Sequence, residues 1–84
     1  MPYITEKLRT YFDGCPIKNL KIDSPGELNY CITRLLITYM EDKQLNYQVV
    51  NDIVGAVEGA KIEFYRRVAV PYENQKIVEN KDVY

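Results

Sequence analysis

The run from Asn46 to Val70, NYQVVNDIVGAVEGAKIEFYRRVAV, constrains this chain more than any other part of it. Its apolar residues Val50, Ile53, Val54, Val57, Phe64, Tyr65 and Val68 recur at spacings of three and four, the period of one helix face. Asn46 is placed to cap the N-terminus, with Leu45 and Val50 as a hydrophobic staple across it. Pro71 donates no amide and disfavours the α region for Val70, so the pattern predicts a helix over 46–70 that stops there. At about 1.5 Å of rise per residue that helix is roughly 36 Å long, more than so small a domain requires. Everything before it reads as something to pack against it.

The clearest local signal is Ser24-Pro25-Gly26-Glu27. Serine at the N-cap, proline at the first helical position and glutamate at the third form a capping box. The helix it opens is expected over 25–42, with Leu28, Cys31, Ile32, Leu35, Leu36, Tyr39 and Met40 as a broad apolar face. Only Lys43, Gln44 and Leu45 separate it from the next helix, and so short a link makes the two antiparallel neighbours. Residues 1–13 place Ile4, Leu8, Tyr11 and Phe12 at helical spacing behind a possible Thr5 cap. That helix is too short to stand unsupported. Residues 14–24 read as an extended connector, and residues 71–84 as a polar tail that either frays, or folds back or reaches a neighbouring subunit. The expected fold is all-α: a single domain made of a long antiparallel α-hairpin and a short N-terminal helix.

One chain does not satisfy its own apolar surface. A chain of 84 residues buries little more than half of what it exposes when unfolded. A two-helix hairpin has one seam, yet Tyr30 and Ile37 lie off the stripe of the first helix. Gly55, Gly59 and Ile62 form a separate row on the second. Glycine in a helix interior costs about 1 kcal/mol relative to alanine, so this row asks for close backbone approach by another helix. A homo-oligomer with closed symmetry is therefore expected.

Composition narrows the function. The two cysteines, Cys15 and Cys31, with no histidine anywhere, exclude a four-ligand zinc site within one chain. Reduced thiols are expected, because nothing reads as a signal peptide. No apolar run reaches the roughly 18 residues of a membrane span. A net charge of −1 argues against general binding to duplex DNA. No nucleophile elbow, phosphate-binding glycine loop or converging carboxylate pair is present, so no enzyme, metal or cofactor is expected. Glu63 and Arg67, at i and i+4, read as a surface ion pair.

Binding has better candidates. The eight tyrosines supply flat apolar rings with a hydroxyl handle. Tyr65, Arg66, Arg67, Tyr72, Asn74 and Lys76 cluster at the end of the long helix, where guanidinium groups suit phosphates and tyrosine rings stack on bases. Arg66 and Arg67 also have a purely structural explanation as cations near a helix C-terminus. Antiparallel pairing would add Asn29, Tyr30, Thr33 and Arg34 from the start of the first long helix. These ten residues are the expected ligand site, against the plainer reading of a solvated rim.

The segments MPYI at the start, LNYCITRL at 28–35, LNYQVVNDIVG at 45–55, KIEFYRRVAVPYE at 61–73 and KIVENKDVY at 76–84 resemble a family of small phage and prophage proteins without an assigned activity. The resemblance covers most of the chain except the connector. It implies a phage origin and expression in the cytoplasm of an infected bacterium. The family pattern carries glycine where this chain has Lys81, which leaves a tight turn near Asn80 unsupported. By size, context and pocket chemistry the chain is similar in style to phage proteins that sequester nucleotide immune signals. The first expectation is accordingly non-enzymatic sequestration of an ADP-ribose derivative or a cyclic dinucleotide. The alternative is a helical protein-interaction module, an inhibitor or assembly factor that binds a host or phage protein.

Overall fold

The structure is a computed structural model, and it describes residues 4–84. All of its regular structure is helical, with no strand among the described residues. In chain order there are α1 (Glu6–Asp13), a 3-10 turn (Pro16–Asn19), α2 (Pro25–Lys43), α3 (Tyr47–Phe64), a π-helical turn (Tyr65–Ala69) and α4 (Val70–Asn80). The chain divides into two compact units, Met1–Tyr39 and Met40–Tyr84, with α2 straddling the boundary.

In the first unit, Thr5 caps α1 by accepting from the Leu8 amide at 3.3 Å, as its position in the sequence suggests. The helix spans 6–13, shorter than the expected 1–13; residues 1–3 of that expectation lie outside the described residues. Gly14 closes it, its amide shared between the Thr10 and Tyr11 carbonyls. The connector is extended only in part, because Pro16 opens the 3-10 turn. Tyr11 and Phe12 meet edge to face with ring centroids 5.1 Å apart.

The capping box forms. Ser24 Oγ accepts from the Glu27 amide at 3.1 Å and donates to the Glu27 carboxylate at 3.0 Å, while that carboxylate also accepts from the Asp23 amide at 3.3 Å. These bonds satisfy backbone donors that no earlier turn can reach. Replacing Ser24 with alanine is expected to cost about 1 kcal/mol, read as a lower urea midpoint at unchanged slope. An unchanged midpoint would mean the cap is dispensable.

In the second unit, Asn46 caps α3 as expected, its side-chain oxygen accepting from the Val49 amide at 2.9 Å. Leu45 stays 70% exposed, so the staple buries little. The expected stop at Val70 is overturned: helix continues from Tyr47 through Pro71 to Asn80, a length of roughly 50 Å. Proline in a helix interior lacks an amide and its ring strikes the carbonyl four residues back, here that of Arg67. One extra residue in the preceding turn resolves the conflict, with the Val70 amide donating to the Tyr65 carbonyl, five residues away. Most of the expected tail, 71–84, is thereby the helix α4.

Among the described residues, two non-glycine residues have positive φ, Gln44 after α2 and Lys81 after α4. Residues 81–84 have no regular structure, and Lys81 stands at the C-terminal end of α4. Lys81, at φ 67° and ψ 151°, sits in a region that is almost glycine-only. Lys81→Gly should relieve about 1–3 kcal/mol of local strain. The check is slower amide exchange at residues 77–80; faster exchange would contradict it.

Val49, 8% exposed, is the one buried hydrophobic side chain among the described residues. Leu8, Phe12, Leu28, Tyr30, Leu35, Val54, Ile62 and Phe64 are all exposed. The row Val50, Val54, Val57 runs along one face of α3 and remains open to solvent.

Candidate functional site

The expected ligand-binding residues fall into two groups, one in each unit. In the first, α2 carries Asn29, Tyr30, Thr33 and Arg34. Thr33 Oγ donates back to the Asn29 carbonyl at 2.9 Å, which takes up its proton and leaves the hydroxyl oxygen only as an acceptor. Tyr30 is exposed. Arg34 has no hydrogen bond or ion pair among the described residues.

The second group follows the π turn. A single oxygen of Glu63 accepts from Arg67 Nε at 2.8 Å and from Arg66 Nη2 at 3.0 Å. The i,i+4 pair is the one legible in the sequence, and the i,i+3 pair with Arg66 joins it. One carboxylate is thus shared between two guanidiniums. The hydrogen bonds from Arg66 and then Arg67 hold Glu63 well below the usual carboxylate range, at about 2. The sign of the pH dependence follows. A carboxyl whose folded-state value is depressed contributes stability that is complete above its ordinary value near 4.5 and is lost as the pH falls toward about 2. Glu63→Gln should therefore melt below the unaltered protein at neutral pH, with the gap closing between about pH 5 and pH 2. A gap that persists unchanged at pH 2 would show that the ion pairs are not its source.

Beyond the wide turn, Tyr65 donates its hydroxyl proton to Glu73 at 3.1 Å, and the hydrogen bond and charge of Glu73 raise the pKa of the phenol. Sequence reading missed this partner. In a regular α-helix positions i and i+8 lie about 80° apart around the axis, and the extra residue of the π turn removes most of that offset. Lys76 Nζ lies 3.1 Å from Glu79 and 5.5 Å from the centre of the Tyr72 ring. Asn74 stands on α4, its side chain with no hydrogen bond to a described residue. Each cation expected to meet a ligand in this unit thus already has a carboxylate neighbour.

Tyr65 and Arg66 also line a shallow, largely apolar depression of about 270 Å³ with Glu58, Lys61, Ile62 and Val70. The chain matches the family model "Domain of unknown function (DUF6899)" over residues 1–83, which takes in both groups and the depression. The chain belongs to the DUF6899 family. No curated protein and no solved structure matches it. Among the described residues of this DUF6899 member, no three Cys, Asp or Glu side chains are grouped to hold a metal ion. No helix among them is long and apolar enough to cross a membrane.

Proposed function

We propose that the chain acts by binding, not by catalysis, as a helical interaction module. Its working form is a homo-oligomer, and the exposed apolar helix faces are the surfaces that engage. The observation that supports this most is the burial of Val49 and of no other hydrophobic side chain among the described residues. A stable soluble chain does not leave this much leucine, isoleucine and phenylalanine in water without a use for it. The pairing of α2 and α3 as an antiparallel hairpin belongs to the same proposal and rests on the short link, residues 44–46. Arg66, Arg67 and Lys76 each already have a carboxylate neighbour, and this ranks the reading above ligand capture, because an arriving anion competes with Glu63 or Glu79.

Photo-crosslinking from Val54 and from Tyr47 tests the reading. Val54 should give one discrete product, with another copy or with a single partner protein, and fully exposed Tyr47 should give much less. Diffuse labelling of equal strength from both positions would sink it.

A second reading draws on the depression beside Tyr65 and Arg66. An apolar floor rimmed by Lys61 and Arg66 suits a flat ring carrying phosphate, as in an ADP-ribose derivative or a cyclic dinucleotide. In that role the protein sequesters a nucleotide-derived immune signal in the cytoplasm of a phage-infected bacterium. A melting panel against such compounds decides. A ligand at 100 times its dissociation constant adds roughly 2.7 kcal/mol of stability, and Arg66→Glu should abolish the rise. A flat panel removes this reading.

A further inference from the structure

The helix from Tyr47 to Asn80 is continuous in its winding but not in its regular hydrogen bonds. A regular helix gives the Arg66 carbonyl the amide of Val70, and here that amide donates to the Tyr65 carbonyl. The Arg67 carbonyl would regularly take the amide of position 71, and proline has none. Two neighbouring carbonyls thus lose their regular donors at one level of the helix. Sharp bends in helices arise at prolines and at π turns, where the ladder is interrupted. Here the two coincide.

A side-chain bond runs across the same level. The Tyr65 hydroxyl, at the near end of the turn, donates to Glu73 on α4 at 3.1 Å. Six residues at about 100° each put Pro71 about 120° around the axis from Tyr65, and the wide turn carries it further toward the opposite face. The interrupted ladder and the side-chain bond therefore lie on different sides of the helix. We propose that α4 is a hinged arm: it swings about the Tyr65–Ala69 turn by opening the Pro71 side, and the Tyr65–Glu73 bond is the strap that holds the other side closed.

The neighbouring bonds fit a pivot at this level. Glu63 holds Arg66 and Arg67 from the α3 side, and these two bonds end within the turn without reaching α4. Lys76 meets Glu79 and the Tyr72 ring wholly within α4, so the arm keeps its own bonds as it moves. Every group involved belongs to one helix of the second unit. The extra residue of the turn also brings Val70 toward Ile62, eight positions earlier, and the depression they share spans the pivot. A swing changes the spacing between Tyr72, Asn74 and Lys76 on α4 and the side chains of α3 without unwinding either helix. Beyond binding itself, the arm lets one surface fit partners of different shape.

Residual dipolar couplings of the backbone amides test the proposal on the full-length chain, with α3 and α4 fitted as separate rigid helices. In the unaltered chain α4 should align with a smaller magnitude than α3. Pro71→Ala, which restores the donor, should bring the two magnitudes to equality. Tyr65→Phe, which removes the hydroxyl and keeps the ring, should lower the magnitude for α4 further. Equal magnitudes in the unaltered chain would overturn the hinge. A smaller value for α4 that Pro71→Ala leaves unchanged would put the motion elsewhere and overturn it too. Tyr65→Phe without effect would overturn the strap.

Discussion

On the self-association proposed above, lysine in place of Val54 is expected to dissociate the protein at concentrations where the unaltered chain is assembled. In one chain Val54 is 62% exposed, so a solvated lysine there should change stability by no more than about 0.5 kcal/mol. In an assembly the same residue, flanked by Val50 and Val57 on one face, lies in the contact. A charge buried there without a partner is strongly unfavourable. Loss of a central interface residue costs about 2 kcal/mol or more, which raises the dissociation constant at least about 30-fold. The two situations predict opposite results from one substitution. Sedimentation of the variant beside Val54→Ile, which keeps the surface apolar, separates them. Equal masses for the unaltered protein and both variants would remove Val54 from any interface.

Alanine in place of Pro71 will straighten the helix between α3 and α4 and raise the melting temperature. Proline costs about 3 kcal/mol in a helix interior, and the π turn has relieved part of that, so a gain of about 1–3 kcal/mol is expected. The substitution restores a donor at position 71 and removes the ring that crowds the Arg67 carbonyl. With the turn regularised, Tyr65 and Glu73 fall out of line and their 3.1 Å hydrogen bond is lost. The raised pKa of Tyr65 then returns toward the ordinary value for a phenol, which carbon-13 NMR of labelled tyrosine reads directly. An unchanged Tyr65 titration would show that the wide turn does not depend on the proline.

These features differ in how far they can be read from sequence, and the difference is one of range. The caps at Thr5, Ser24 and Asn46 were legible because each is a bond between residues three apart. The Glu63–Arg67 pair, four apart on one helix face, was legible for the same shortness of range. The pattern over 46–70 pointed to a helix but not to its end, because the proline rule assumes that the preceding turn is regular, nor to its buried residue, since Val49 lies off the expected face. That assumption also hid Tyr65 and Glu73, whose alignment exists only across a wide turn. Asn29 and Thr33 were read as free polar groups, yet the threonine hydroxyl bonds back to its own helix, as short hydroxyl side chains do. Lys81 shows the converse: a residue type unsuited to positive φ gives no sign of it in the sequence, and the backbone adopts it nonetheless.

The wide turn at Tyr65–Ala69 also bears on how such a chain can change its length. Removing one residue from an ordinary helix rotates everything beyond the gap by about 100° and turns an apolar face to the wrong side. Here the helix already holds one residue more than its regular ladder accommodates. Loss of Val68 or Ala69 would be absorbed as a return to regular winding, and α4 would keep close to its original heading. A second insertion has no such reserve. The segment is thus a point where descendants of this sequence can shorten without refolding, provided that position 71 ceases to be proline in the same step.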